Sequence, residues 1–273
     1  MSAVSETATI GTDYSPTNPT WRMWLSQRPG TARIGVILIF LLLWELTARL
    51  FGDPLFIAPP SLAVVAFTEL AVEPSVLAAV ARTVYEVIAA FVLAAIVGVT
   101  IGLAVGLSTF ARAAVFPIIM MLYATPQSPF LPLFVLIFGV GVESKIVYGF
   151  THGVFALIAT IVAGVQNIDP GLMRAARSMG ASRRQILTSI VMPYALRSFF
   201  TGMRLAMTGV LLGVLLAELY VSSGGIGYFA SLYTTGFQPA NLLALIAMLA
   251  IIAITLNETC RRAEIRFSHW REI

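Results

Sequence analysis

Charge is scarce in these 273 residues. Charged side chains make up 11% of the chain and hydrophobic ones 58%, and the mean hydropathy is +0.89. That is about half the charge of an ordinary soluble domain, which excludes a single water-soluble domain. Cysteine is nearly absent too: Cys260 stands alone, excluding an internal disulfide framework and any C-x-x-C metal or redox pair. No G-x-x-x-x-G-K-[ST] phosphate loop occurs, since the nearest approach, Gly139 to Lys145, lacks the second glycine. The chain therefore has no cradle of its own for hydrolysing a nucleotide. No convincing repeat relates its first half to its second. The apolar run Ile34 to Leu43 continues into Trp44, Glu45 and Leu46 rather than into a small-residue cleavage site, so an uncleaved first anchor is expected there.

What the chain does have is long apolar runs. A hydrocarbon core about 30 Å thick needs roughly 20 helical residues, and six segments meet or approach this: Ile34 to Leu50, Val84 to Leu107, Ala113 to Val140, Ile146 to Val165, Phe199 to Val221 and Pro239 to about Glu258. The third contains Pro117, Pro126, Pro129 and Pro132 and is expected to be kinked or partly unwound. The organisation read from this pattern is a disordered cytoplasmic tail over 1–33, a first span with an external interfacial segment over 34–83, a core over 84–258 with a cytoplasmic loop at 166–196, and a cytoplasmic tail over 259–273. In the external segment Ser61 is expected to cap a short interfacial helix.

Six spans put both termini on one side, and basic residues name that side. Arg22, Arg28, Arg33, Arg112, Arg174, Arg177, Arg183, Arg184, Arg197, Arg261, Arg262, Arg266 and Arg271 fall on one face, against Arg49, Arg82 and Lys145 on the other. By the positive-inside rule both termini are cytoplasmic. This asymmetry accounts for the net charge of +4 and excludes a nucleic-acid partner, because no basic patch with interleaved aromatics remains.

The loop Gln166 to Leu196 is the most informative stretch. Asp169-Pro170 is a helix start, with Asp169 as cap and Pro170 in the first turn. A short helix rich in small residues follows, Gly180 interrupts it, and Ser182 is placed to cap a second helix running to Pro193. Small residues flanked by arginines suit a helix laid into another protein's groove.

Arg174-Ala175-Ala176, three residues, Gly180, nine residues, Ile190, one residue, Met192 and Pro193 resembles the E-A-A-x3-G-x9-I-x-L-P signature of ABC importer permeases, in the position between the fourth and fifth of six spans where that family carries it. Two positions depart. Met192 for Leu conserves volume, whereas Arg174 for Glu reverses a charge. Further segments resemble the subgroup importing nitrate, sulfonates, taurine and similar small nutrients: Ala124-Thr125-Pro126, Leu131-Pro132-Leu133, Phe138-Gly139-Val140-Gly141, Gly180-Ala181-Ser182, Ala217-Glu218-Leu219, Gly225-Ile226-Gly227-Tyr228 and Trp270-Arg271.

The resemblance implies an all-α polytopic membrane protein with the type I importer fold, lodged in a bacterial inner membrane among its lipids. It also implies a permease rather than an enzyme, paired as a homodimer, with ABC ATPase subunits inside and an extracytoplasmic substrate-binding protein outside. ATP and Mg would be bound by the ATPase, and no cofactor by this chain. Arg174, Ala175, Ala176, Met179, Gly180, Ala181, Ser182, Ile190 and Pro193 are then the ATPase-coupling residues.

Ionisable residues within spans are costly and become functional candidates. Gln127, Ser128, His152, Arg204 and Glu218 are the candidate pathway residues, Gln127 and Ser128 because they sit at the proline break where freed backbone groups can line a cavity, and the other three each with a structural alternative. Glu218 could instead hold the glycine-rich segment Ser222 to Tyr228 through its backbone N–H groups. Arg204 could snorkel toward the headgroups, and His152 could be satisfied within the bundle. Glu45 and Arg49 are expected to pair locally, and Gly98, Gly102 and Gly106 to pack against a neighbouring helix. An ion-coupled secondary transporter is the rival function. An intramembrane hydrolase using His152 and a serine such as Ser128 is a weaker one.

Overall fold

The computed structural model describes residues 29–267; most of the amino-terminal tail and the last residues, Trp270-Arg271 among them, lie outside the described residues. The chain divides into two units, one ending at Phe51 and one beginning at Gly52. The first contains α1 (Pro29–Phe51), whose apolar surface is largely exposed over Ile34 to Leu43. The expected Glu45–Arg49 pair forms one turn apart, at 2.6 Å.

The second unit starts with α2 (Pro60–Leu70). Its cap position is Pro59 and not Ser61: the fixed φ of Pro60 starts the helix at that residue and draws Ser61 inside the first turn. α3 (Pro74–Leu107) is 34 residues long, about 51 Å at 1.5 Å per residue, so the helix that carries the second span starts ten residues before the apolar run at Val84.

The third span is broken. α4 (Thr109–Ala114), α5 (Phe116–Ala124), a 3-10 turn at Ser128–Phe130 and α6 (Leu131–Phe138) follow one another, with a bend of 84° between Thr109–Ala124 and Ser128–Phe138. Pro117, Pro129 and Pro132 each occupy a first-turn position of the piece that contains them, where a missing N–H costs nothing. The prolines therefore restart helices on either side of the Thr125-Pro126 break.

α7 (Val142–Gln166), α8 (Pro170–Ser178), α9 (Arg183–Ile186), α10 (Met192–Val221), α11 (Ile226–Thr235) and α12 (Pro239–Phe267) complete the unit. Five described helices are long and apolar enough to cross a membrane, six if the bent pair is one crossing. α12 runs past Glu258 because Glu258 bonds Arg261 and Arg262 within the helix, carrying it beyond the apolar run.

The core is α7 between α3 and α10. A Cβ added at Gly98, Gly102 or Gly106 would meet Leu157, Ile161 or Val165 in turn, so α3 and α7 run parallel and the three glycines pack inside the subunit. On the other face of α7 the pairs run in opposite senses: Gly149 meets Val214 and Gly153 meets Val210, while Gly164 meets Ser198. α7 and α10 are thus antiparallel, and Gly202, Gly209 and Gly213 of α10 give the reciprocal clearance. Such close approach replaces the hydrophobic drive that lipid cannot supply. A second cluster joins Ala66 and Leu70 of α2, Val76 of α3, Ile226 of α11 and Ala244 and Leu245 of α12.

Candidate functional site

The loop between α7 and α10 is built by local chemistry. Asp169 accepts from Gly171 N–H at 2.6 Å and Pro170 occupies the first turn of α8, as the sequence implies. The helix closes with Gly180 N–H donating to Arg177 O and Ala181 N–H to Ala176 O, both at 3.0 Å, a Schellman closure that needs a left-handed residue. Gly180 supplies it at φ 78°. Ser182 then forms a reciprocal capping box with Gln185.

The second helix does not stop at Pro193. α9 passes without a break through one π-helical stretch, Leu187–Val191, into α10. Pro193 removes an N–H and crowds the preceding turn, and the wider π turn accommodates this without ending the helix. The fifth span is therefore a lever continuous with the loop.

A cleft of about 370 Å³ lies between the end of α8 and this lever, lined by Ala176, Met179, Gly180, Ala181, Gln185, Ile186, Ser189 and Ile190. Five of the residues singled out in the sequence meet there: Ala176, Met179, Gly180, Ala181 and Ile190. Arg174 and Ala175 lie on the exposed side of α8, Ser182 is committed to capping, and Pro193 lies in the first turn of α10. Met179 is 82% exposed, an apolar side chain held out at the end of an amphipathic helix that buries none of its residues.

The candidate pathway residues do not converge. Gln127 donates from Nε2 to Thr151 O at 3.2 Å, tying the bend to α7, while its Oε1 is buried without a partner. Ser128 is exposed at the start of the 3-10 turn. His152 Nδ1 lies 3.0 Å from Tyr148 O, a contact that requires the proton on Nδ1. Its ring packs on Tyr148 at 4.4 Å. Among the described residues no hydrogen bond joins His152 to a serine, so a His–Ser hydrolase pair is not assembled. Arg204 lies 3.5 Å from Glu264 of α12, a partner that the sequence reading did not foresee. The pair is long and partly exposed, so Arg204→Ala should lower the thermal midpoint by the equivalent of less than about 1 kcal/mol; a larger drop in the purified protein would contradict this.

Glu218 is buried near the C-terminal end of α10. Its Oε2 accepts from Gly227 N–H at 2.8 Å and its Oε1 from the Thr83 hydroxyl at 2.7 Å. The backbone-holding role offered as its structural alternative is the geometry found. The glycine-rich segment it holds is the turn into α11, a helix not anticipated from sequence.

Three charged neighbours were missed. Glu86 of α3 is buried and accepts from Arg82 Nε at 3.1 Å, while its Oε2 is buried without a hydrogen-bond partner. Lys145, read as an external loop charge, is buried instead. It donates to Val140 O at 3.0 Å and Gly141 O at 2.9 Å. The α3–α7 register that pairs Gly98 with Leu157 explains this, because continued toward the N-terminal ends of both helices it brings Glu86 opposite Lys145. Glu86 was legible, being the one carboxylate within the apolar run Val84 to Leu107.

Comparison with known proteins gives the arrangement its context. Residues 94–258 match the family model described as "binding-protein-dependent transport system inner membrane component". The chain is 32% identical over 257 residues to the taurine transport system permease protein of Escherichia coli (strain K12), covering 92% of this chain and 93% of that protein. It is 24% identical to the formylaminopyrimidine transport permease protein of Halalkalibacterium halodurans, covering 86% and 94%, and 26% identical to a putative aliphatic sulfonates transport permease protein of Bacillus subtilis (strain 168), covering 90% and 91%. Among solved structures, a chain of the MetNI methionine ABC transporter in inward-facing conformations superposes with a TM-score of 0.60 at 20% identity, covering 71% of this chain and 98% of that one.

Proposed function

Because the chain belongs to the family of binding-protein-dependent transport system inner membrane components, it is a multi-pass permease subunit of an ABC importer, and we propose that the solute it passes is a small organic sulfonate. The observation carrying that choice is the 32% identity to a taurine permease across nearly the whole of both chains. A sulfonate-transport relative at 26% supports it.

In this reading the solute is brought by an extracytoplasmic binding protein, and two copies of the chain form the pathway in a bacterial inner membrane. The distribution of arginines supports cytoplasmic termini. ABC ATPase subunits, which would hold ATP and Mg, dock at the inner cleft, with the open side of α8 and Met179 entering the ATPase surface. The continuity of α9 with α10 supports that assignment, since a load applied from the Ser182 cap onward passes into the fifth span without a break in the helix. Nucleotide can shift the permease only if the ATPase contacts this loop differently in its two states.

Gly180→Trp tests the docking site. A Cβ at Gly180 meets nothing within 4 Å, so the substitution costs the subunit only the left-handed backbone penalty, about 1–2 kcal/mol. The variant should accumulate in the membrane and lose at least about tenfold of the co-purifying ATPase. Undiminished co-purification would remove the cleft from the interface. Mass spectrometry of the ligand carried by the cognate binding protein tests the substrate: a sulfonate is expected, and a pyrimidine would move the chain toward its formylaminopyrimidine relatives.

A further inference from the structure

α11 is a helix whose start is not capped from within. Its cap residue, Gly225, has no side chain, and first-turn N–H groups normally need a local acceptor or water. Here the N–H of Ile226 donates to Thr83 Oγ1 of α3 at 2.9 Å and that of Gly227 to Glu218 Oε2 of α10 at 2.8 Å. Two different core helices thus hold two successive amides. Gly225 is at φ 100°, and a Cβ there would run into the Glu218 carboxyl, so this approach requires glycine.

The same clamp is embedded in charge. Arg82 and Lys145 supply two cations and Glu86 and Glu218 two carboxylates, with Glu86, Lys145 and Glu218 buried. Arg82 pairs directly with Glu86 at 3.1 Å, and Lys145 places a second cation in the same buried end of the bundle, where a lone carboxylate would be costly. Ile226, whose amide is clamped, is buried in one apolar cluster with Leu70 of α2, Val76 of α3 and Leu245 of α12. α11 therefore joins the α3–α7–α10 core to the outer layer formed by α2 and α12.

We propose that Thr83 and Glu218 are positioning residues of the transport cycle, clamping α11 to the core so that α11, and through Ile226 the outer ends of α2 and α12, travel with that core when the permease changes state. The moving part of this proposal rests on the permease reading; the clamp itself does not.

Hydrogen exchange on the full chain in lipid nanodiscs tests it through the peptide spanning 222–229. In the wild type the Ile226 and Gly227 amides should exchange slowly, although their own helix offers them no acceptor. With the cognate ABC ATPase bound, that protection should stay within about twofold whether or not a non-hydrolysable ATP analogue is present. Thr83→Val should speed exchange of these amides by at least about tenfold, and Thr83→Ser should restore it. In the assembled transporter Thr83→Val should lower solute moved per ATP hydrolysed by about tenfold at normal protein level, a ratio that simple loss of folded protein leaves unchanged. Rapid exchange of both amides in the wild type, or protection lost on adding nucleotide, overturns the proposal, and these wild-type results stand even where a variant fails to accumulate. Failure of the ATPase to associate would count against the permease reading and leave the nanodisc result intact.

Discussion

Gly209→Ala should prevent the chain from accumulating as a folded membrane protein. A methyl group there would lie 2.5 Å from the carbonyl oxygen of His152, and that oxygen belongs to the backbone of α7, which cannot rotate away as a side chain can. Relief requires α7 and α10 to separate along the most closely packed seam in the subunit, where Gly153 and Gly213 make matching contacts. Overpacking typically costs 1–3 kcal/mol, and this site belongs at the upper end, about 3 kcal/mol. Gly98→Ala is the contrast. Its added methyl would meet Leu157, most closely at the flexible Cδ2 at 2.9 Å and with the Cβ at 3.2 Å, so a small adjustment of that side chain suffices and about 1 kcal/mol is expected. Gly35→Ala, with nothing within 4 Å, should be neutral. Folded yield and thermal midpoint in detergent give the ranking. Equal tolerance at Gly209 and Gly35 would mean that α7 and α10 do not pack as described.

Glu86→Gln should be at least as damaging, and a second substitution should reverse much of the damage. Removing one partner from a buried ionic group costs about 3–5 kcal/mol, because the charge left behind cannot be solvated. Glu86→Gln leaves Arg82 and Lys145 facing Glu218 alone. Adding Lys145→Met restores the balance. The double variant should recover about half of the lost stability, and not all of it, because the carbonyls of Val140 and Gly141 lose their donor at about 1–3 kcal/mol. Measured as a double-mutant cycle, the two changes should couple by more than about 1 kcal/mol. Strict additivity would show that the two charges do not sense each other across the α3–α7 seam.

Local signals carried much of this structure into the sequence. Asp169-Pro170 and Ser182 mark helix starts that need only neighbouring residues to act, and Gly180 marks the left-handed closure between them. The glycine series in α3 was readable because Gly98, Gly102 and Gly106 share one helix face. Gly149, Gly153, Gly209 and Gly213 were not, since each is explained only by a partner on another helix. Lys145 looked like a loop charge for the same reason: what buries it is the register between α3 and α7. Ser61 and Pro193 went wrong where two local rules competed. A proline at a first turn outranked a serine cap at one, and a π turn absorbed the proline at the other. α11 escaped notice because its cap comes from Thr83 and Glu218, far away in sequence.

The energy source of transport is the point on which the functional account turns, and reconstitution into sealed proteoliposomes measures it directly. With its cognate ATPase inside and its binding protein loaded with a labelled short sulfonate outside, the chain should accumulate label only when ATP is enclosed, and Gly180→Trp should abolish that accumulation. Accumulation by the chain alone, driven by an ion gradient with neither ATPase nor ATP present, would contradict it.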